Sequence, residues 1–358
     1  MKILILYTQN KSLFSSFFQE LSEKLCKDGF QVFNFSLKRE NNFFEQNGVG
    51  IYFEKHRGLV SNYLATYKII KRIRPDVVIS NFSYINPAIL FGRLLGVKRN
   101  IAWFHTAFGH TKPNILKVWN KSIYLNMADV VLTNSKSLQN EMHEVYRVAK
   151  EKTRRIPFWT NIEDYAIEVN SLPISIHSDS INIGSPGRLL TNKNHKVVIE
   201  AVYQLKQMSN RDIRLYIAGD GTNKIQLEVL VTNLDLKNEV VFLGVLNANE
   251  MALFYKAMDV IVLPSFHEAF GLVFIEAIAL GTPVIVSNTF GALSFIDNQK
   301  FPLDNFCFNP EAIQELIDKL EPYILNQGFS KTYFKHMYDE SFEKEAIYEQ
   351  IKAIILNQ

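Results

Sequence analysis

The sequence predicts an α/β protein made of two doubly wound parallel-sheet domains. Three observations carry this. Short β-branched or aliphatic runs alternate with stretches of helical spacing along most of the chain. The alternation breaks once, at the polar, proline-containing SLPISIHSDS (residues 171–180), and then restarts. The chain has 358 residues, long for one core and comfortable for two.

The elements follow in order. KILILY (2–7) reads as a buried strand, and residues 12–28 have helical spacing that stops at Gly29. QVFNFS, DVVIS (76–80), NIAWFH (100–105) and DVVLTNS (129–135) are further strands, separated by helices. This gives a first domain over 1–168 and a linker over 169–180. A second domain over 181–340 repeats the pattern: INIGSPG, helix 194–209, IRLYIAG, helix 222–234, VVFLG, helix 249–257, DVIVLP, helix 271–280, PVIVS. The stretch 341–357 has the pattern of an amphipathic helix, expected to pack back on the first domain. Open parallel sheets bind ligands beyond the carboxyl ends of their strands, so the two domains are expected to face one another across a cleft.

Composition bounds the function classes. Hydrophobic residues make up 47% and charged residues 21%, as in soluble globular proteins. Cys26 and Cys307 form no CxxC, and there is no His cluster, so neither a disulfide framework nor a zinc site is expected. MKILILYTQN has too short an apolar run for a signal peptide, and no stretch approaches the roughly 20 apolar residues of a membrane span. A cytoplasmic protein is expected, one that can still sit peripherally on the inner face of the plasma membrane. The net charge of +3 hides an asymmetry: 24 Lys/Arg against 13 Asp/Glu up to residue 165, and 15 against 23 thereafter.

Three segments that follow strands carry chemistry. In GRLLTNKNH (187–195), Gly187 permits close backbone approach, and Arg188 and Lys193 stand five apart. Two cations at a strand end suit a diphosphate, Arg as a planar fork and Lys as a point charge; the alternative is a solvated basic loop. AGDGTNK (218–224) reads as an ordinary tight turn more than a phosphate cradle. In HEAFGLVFIEAIALGTPVIV (267–286), Glu268 falls in the loop before a helix and Glu276 about one turn inside it. The amides around Phe270, Gly271 and Leu272 would point out of the helix N-terminus toward an anion. A phosphate there would be flanked by two carboxylates, which can accept hydrogen bonds from hydroxyls on either side of it. That arrangement fits a nucleotide-diphosphate sugar, with ribose at one end and a sugar at the other. For Glu276 alone, a helix-dipole partner is the competing reading.

These residues resemble the family 4 glycosyltransferases of GT-B fold, the glycosyltransferase group 1 family. The match carries the glutamate–seven residues–glutamate signature as EAFGLVFIE and the phosphate loop as GRLLTNKN. AGDG, FLG (242–244), ALGTPVIVS and the strand ending in His105 also match, as do ADVVLTNSKSLQNEM (128–142) and RIPFWTNIEDY (155–165). The resemblance implies two Rossmann-like domains and transfer of a sugar with retention at the anomeric carbon. It implies that Arg188 and Lys193 hold the diphosphate, Glu276 the ribose hydroxyls and Glu268 the transferred sugar. It also implies that His105 lies close to the donor sugar from the opposite domain; His110 and His267 have weaker claims. No Asp-x-Asp occurs, so no metal is expected and the two cations would neutralise the leaving diphosphate. Two departures stand out: YTQNKSLFSS follows the first strand where many relatives have Gly-Gly, and IPFWTNI replaces an IPNGV-like segment.

The expected donor is a UDP-sugar in preference to a GDP-sugar. The expected acceptor is a glycan or lipid-linked glycan for lipopolysaccharide or capsule. KHRGLVSNYLATYKIIKRIRP (55–75) reads as a basic amphipathic helix that can lie on anionic lipid, the alternative being an ordinary surface helix packed on the sheet; nucleic acid is not an expected partner. The alternatives are a non-catalytic GT-B subunit that stabilises a partner enzyme and a GT-B sugar-nucleotide epimerase.

Overall fold

A computed structural model describes residues 1–10, 13–38, 40–55, 58–105, 114–165, 176 and 179–357. It divides into two compact units, Met1–Phe158 with Lys344–Gln358, and Trp159–Glu343.

The first unit starts with β1 (Lys2–Leu6), α1 (Leu13–Lys27), β2 (Gln31–Lys38), β3 (Asn42–Gln46) and β4 (Val49–Lys55). It continues with α2 (Leu59–Ile73), β5 (Val77–Asn81), α3 (Ile85–Leu94), β6 (Arg99–Phe104), α4 (Ile115–Met127), β7 (Val130–Thr133), α5 (Lys136–Glu144) and β8 (Thr153–Arg155). Its sheet runs β3-β4-β2-β1-β5-β6-β7-β8, parallel except for the β3–β4 hairpin. The strand order reverses between β1 and β5, whose Leu4 and Val78 are in register and fully buried. The β3–β4 hairpin was absent from the sequence-based expectation. Its turn, Asn47-Gly48, has φ of 52° and 81°, the paired positive values that a two-residue hairpin turn needs.

The second unit holds α6 (Ile162–Tyr165), β9 (Ile181–Pro186), α7 (His195–Met208), β10 (Ile213–Ala218), α8 (Lys224–Asn233), β11 (Val240–Gly244), α9 (Ala248–Ala257) and β12 (Val260–Leu263). Then come α10 (Leu272–Ala279), β13 (Val284–Ser287), β14 (Cys307–Phe308), α11 (Ile313–Ile324) and α12 (Lys331–Ser341). The sheet order is β11-β10-β9-β12-β13-β14, all parallel, with its reversal between β9 and β12. Its core joins Ile183, Leu215, Ile217 and Val262 of the strands to Val198 and Leu205 of α7 and Leu316 and Leu320 of α11.

The unit boundary differs from the expected 168. Residues 159–165 group with the second unit because they are bonded to its last helix: Tyr338 Oη donates to the Thr160 carbonyl (3.2 Å), and Lys335 pairs with Glu163 (2.9 Å). Most of the expected linker, 169–180, lies outside the described residues. Over 341–357, the helix α13 (Lys344–Leu356) begins only after α12 has ended at Ser341. It belongs to the first unit, where Lys344 pairs with Glu20 of α1 (2.6 Å) and Tyr348 and Lys352 both donate to Asp28 (2.8 Å each).

Each unit carries its own buried tryptophan, Trp103 in the first and Trp159 in the second. Ile217→Ala removes a fully buried side chain from the second core and is expected to cost about 2–5 kcal/mol. In single-tryptophan proteins followed through urea denaturation, the Trp159 transition should move to lower urea and the Trp103 transition much less.

Candidate active site

The reversal between β9 and β12 puts the loops that leave these two strands side by side, the usual ligand position in an open α/β sheet. One is Gly187–Asn194, the other Pro264–Gly271.

The first loop is held by close backbone contact with the loop after β10. Gly187 N donates to Ala218 O (2.8 Å), Leu189 N to Asp220 O (2.9 Å) and Asn223 N to Leu189 O (2.9 Å). A Cβ on Gly219 would stand 1.9 Å from the Gly187 carbonyl oxygen, and one on Gly221 would stand 2.4 Å from that of Leu189. Gly219 also has φ +143°. The AGDG glycines are therefore needed for one loop to lie against the other. This fixes the backbone at Arg188, whose side chain is exposed and makes no hydrogen bond or ion pair among the described residues.

Beneath the loop lies a residue that the sequence reading passed over. His195, at the start of α7, is 2% exposed. Its Nδ1 is 3.0 Å from Ser185 Oγ, which itself donates to Val262 O (3.1 Å). The hydroxyl has one proton, so while it is given to Val262 O His195 donates from Nδ1; backbone groups of Arg188 and Gly187 also accept at the ring. Burial lowers the His195 pKa to about 4, which keeps the ring neutral. The ring lies under Gly187, where an added Cβ would be 3.5 Å from Nε2. A histidine just inside a helix that follows a cationic loop was the available signal.

The two loops meet in an ion pair. Lys193 Nζ donates to Glu268 Oε2, and both side chains are about four-fifths buried. Glu268 is held by its own backbone, bridged to Phe290, with its carbonyl accepting from Gly291 N (3.1 Å). Phe270 is buried against the rings of Phe295 and Phe342, and its carbonyl accepts from Ala292 N (2.9 Å). Gly271 caps α10 at φ +100°, and a Cβ there would meet Phe290 at 2.3 Å. Leu272 opens the helix, so its amide and the next point from the helix N-terminus with no intrahelical acceptor. His267 is exposed on the same loop.

Glu276 lies in the second turn of α10 and is 5% exposed. Tyr255 Oη from α9 donates to its Oε2 at 2.8 Å. Its other oxygen has no hydrogen-bond partner among the described residues, and it is not sealed from the surface. Burial raises the Glu276 pKa to about 7, only partly offset by the tyrosine. Glu276 is thus more than a surface partner of the helix dipole.

His105, after β6 of the first unit, is described in its own setting. Nδ1 and Nε2 lie 2.7 Å from Asn134 Oδ1 and Asn81 Oδ1 respectively. The amide nitrogens of these asparagines donate to Ile156 O (2.7 Å) and Leu6 O (3.0 Å), so both oxygens are turned on the ring. Trp103 and Phe158 stack near it, and Phe14 meets it edge-on. Two acceptors favour the cation, whereas burial lowers the pKa to about 3. No carboxylate is among the ring's described partners, so burial prevails and the ring is neutral. The neutral ring donates to one of the two asparagine oxygens, and its contact with the other lacks a proton. His110 lies outside the described residues.

Known proteins supply the family. The model "Glycosyl transferases group 1" matches residues 171–339, and "Glycosyltransferase Family 4" matches residues 15–164. The chain belongs to the group 1, family 4 glycosyltransferases. It is 30% identical to an uncharacterised glycosyltransferase of Methanocaldococcus jannaschii over 61% of this chain and 58% of that one. It is 28% identical to D-inositol 3-phosphate glycosyltransferase of Corynebacterium jeikeium over 58% of this chain and 56% of that one. The chain thus spans less than two thirds of the length of these relatives. Anabaena HepE in complex with UDP has the same fold, with a TM-score of 0.78 and full coverage of both chains at 18% identity. The group 1 glycosyltransferase here therefore has the GT-B fold.

Two outcomes check this geometry. Gly219→Ala, with no room for its methyl, is expected to destabilise the second unit by more than about 3 kcal/mol, seen as a lower urea midpoint. Glu276 binds its proton more tightly folded than unfolded. Its contribution to stability is full below its ordinary value of 4.5 and is lost as the pH rises through about 7. Glu276→Gln should therefore gain stability relative to the parent between pH 5 and 8, by about 1–3 kcal/mol, read as a widening difference in melting temperature.

Proposed function

We propose that this chain is a retaining hexosyltransferase that uses a nucleotide-diphosphate sugar, with UDP favoured over GDP. The observation that carries this is the Lys193–Glu268 pair at the sheet reversal, beside a fixed Arg188 without an anionic partner among the described residues. A lysine already at a carboxylate can turn to a diphosphate oxygen while Arg188 binds a second oxygen through its fork. Glu268, released from the lysine, accepts hydrogen bonds from hydroxyls of the transferred sugar. The first-turn amides of α10 donate to phosphate.

The unpartnered oxygen of Glu276 accepts from the ribose hydroxyls, with Tyr255 holding the other oxygen. His105, whose neutral ring has one nitrogen without a proton, accepts a hydroxyl of the transferred sugar once the asparagine facing that nitrogen yields. Once the nucleotide is bound, these cations and amides stabilise the charge that develops on the leaving diphosphate, and no metal is assigned that role. Attack comes from the face the leaving group departs, its phosphate oxygen taking the acceptor proton; this retains the anomeric configuration. UDP bound in the Anabaena protein of the same fold supports the choice of nucleotide.

The acceptor in this reading is a glycan or lipid-linked glycan for a surface polysaccharide such as lipopolysaccharide or capsule. The enzyme works peripherally at the inner face of the plasma membrane. No helix among the described residues is long and apolar enough to cross a membrane.

Calorimetric titration with UDP, GDP and their sugars, in EDTA, tests the reading. UDP and one UDP-sugar should bind saturably. Arg188→Ala and Glu276→Ala should each weaken binding or turnover at least tenfold, about 1.4 kcal/mol. Parent-like behaviour in both variants overturns the site assignment, and binding only with added divalent metal overturns the metal-independent diphosphate site. Because the ionised Glu276 is the better double acceptor, UDP affinity should rise between pH 6 and 8, and this rise should be absent in Glu276→Gln.

A further inference from the structure

We propose that Phe82 presents its ring as a stacking face for a neutral sugar ring of the acceptor, and so helps to set acceptor specificity. This deepens the transferase reading above and rests on it.

Phe82 stands immediately after β5, at the carboxyl end of the strand where the order of the first sheet reverses. Ligands of open α/β sheets bind at such a reversal. The preceding residue, Asn81, faces His105 Nε2 with its Oδ1. Three phenylalanines surround that imidazole. Phe82 is tilted over it with 4.9 Å between ring centroids, Phe14 meets it edge-on at 5.1 Å, and Phe158 stacks on it at 5.5 Å. Phe14 and Phe82 also touch one another, at 5.1 Å.

Two of the three rings come from the segments in which the sequence departs from the family pattern. Phe14 belongs to YTQNKSLFSS and Phe158 to IPFWTNI. Both departures therefore bring an aromatic ring to one histidine. Phe158 is 3% exposed and acts as a wall, whereas Phe82 is 37% exposed and keeps part of its ring open to solvent.

The backbone at Phe82 is strained. Its φ is +50°, in the left-handed region that bulky residues seldom enter. Glycine or asparagine takes that conformation more easily. A partly exposed ring gains little from packing to offset such strain, and strain of this kind collects at ligand sites.

The chemistry of the setting selects the ligand. The face of a phenyl ring is electron-rich, and the C–H groups on one side of a pyranose ring are its complement. Neutral His105, its two asparagine partners and the three rings carry no charge, so a phosphate or carboxylate would find no counter-ion among them. A glycosyl acceptor must offer a hydroxyl, and a neutral sugar offers the hydroxyl and the C–H face together.

Saturation-transfer NMR on the full chain tests this, with UDP present and the methyl glycosides of glucose, galactose, mannose and N-acetylglucosamine as probes. At least one should bind, with transfer strongest to the ring protons of one face. Phe82→Ala and Phe82→Asn should each weaken that glycoside roughly tenfold, and Phe82→Tyr should keep it within about twofold. Phe82→Asn should nevertheless melt above Phe82→Ala, because asparagine accepts a positive φ. Recovery of stability without recovery of binding separates a stacking role from a merely structural one. Affinity for UDP, and for the UDP-sugar that binds in calorimetry, should match the parent in all three variants. No transfer to any glycoside in the parent overturns the proposal, as does undiminished transfer in Phe82→Ala. So does tighter binding of glucose 6-phosphate or inositol phosphate than of every neutral glycoside. Loss of the UDP-sugar but not of UDP in Phe82→Ala also overturns it, by placing the ring against the transferred sugar. Failure of the parent to bind UDP, with glycoside binding intact, would count against the donor reading alone.

Discussion

The second unit is organised around one steric constraint. The loop after β9 and the loop after β10 approach so closely that side chains at 219 and 221 are excluded. Three backbone hydrogen bonds then fix the chain from Gly187 to Asn223. Everything cationic in the site hangs from that contact. Arg188 is presented by a backbone that cannot shift, and Lys193 reaches the neighbouring loop because its own loop cannot lift away. His195 lies sealed beneath it, hydrogen-bonded to the Ser185 hydroxyl. A site of this kind is organised before any ligand arrives, so less ordering remains to be done on binding.

The two glutamates of the signature are held in contrasting ways. Glu268 is partly open and neutralised by a lysine, whereas Glu276 is buried and hydrogen-bonded to a phenol. A carboxylate beside a mobile cation can exchange partners. One whose pKa has risen to about 7 responds to pH in the range where cells operate. The spacing places both on one loop–helix unit, while the surrounding elements decide how each is held.

Much of this was legible in the sequence because it is local. The strand runs, the loop GRLLTNKN and the turn before α10 are each determined within a few residues by period, glycine and capping. The Asn47-Gly48 turn was equally local and was passed over, because the strands flanking it are short and one is largely exposed. What could not be read depends on distant partners. Tyr255 meets Glu276 across 21 residues from another helix, and Ser185 and Val262 meet in neighbouring strands. The segment 159–165 reads as the end of one domain, yet Thr160 and Glu163 bond to α12.

The first unit is interrupted by the second. Its chain leaves at Phe158, and α13, joined to α1 through Glu20 and Asp28, returns to it from Lys344 onward. On the ribosome, the second unit can therefore be assembled before the first has received its final helix. Until then the partly made first unit must wait with one flank of α1 bare. Contacts separated by some 320 residues are the slowest to form in a nascent chain. A lesion near residue 350 would thus be felt first by the unit that is synthesised earliest, at the opposite end of the message.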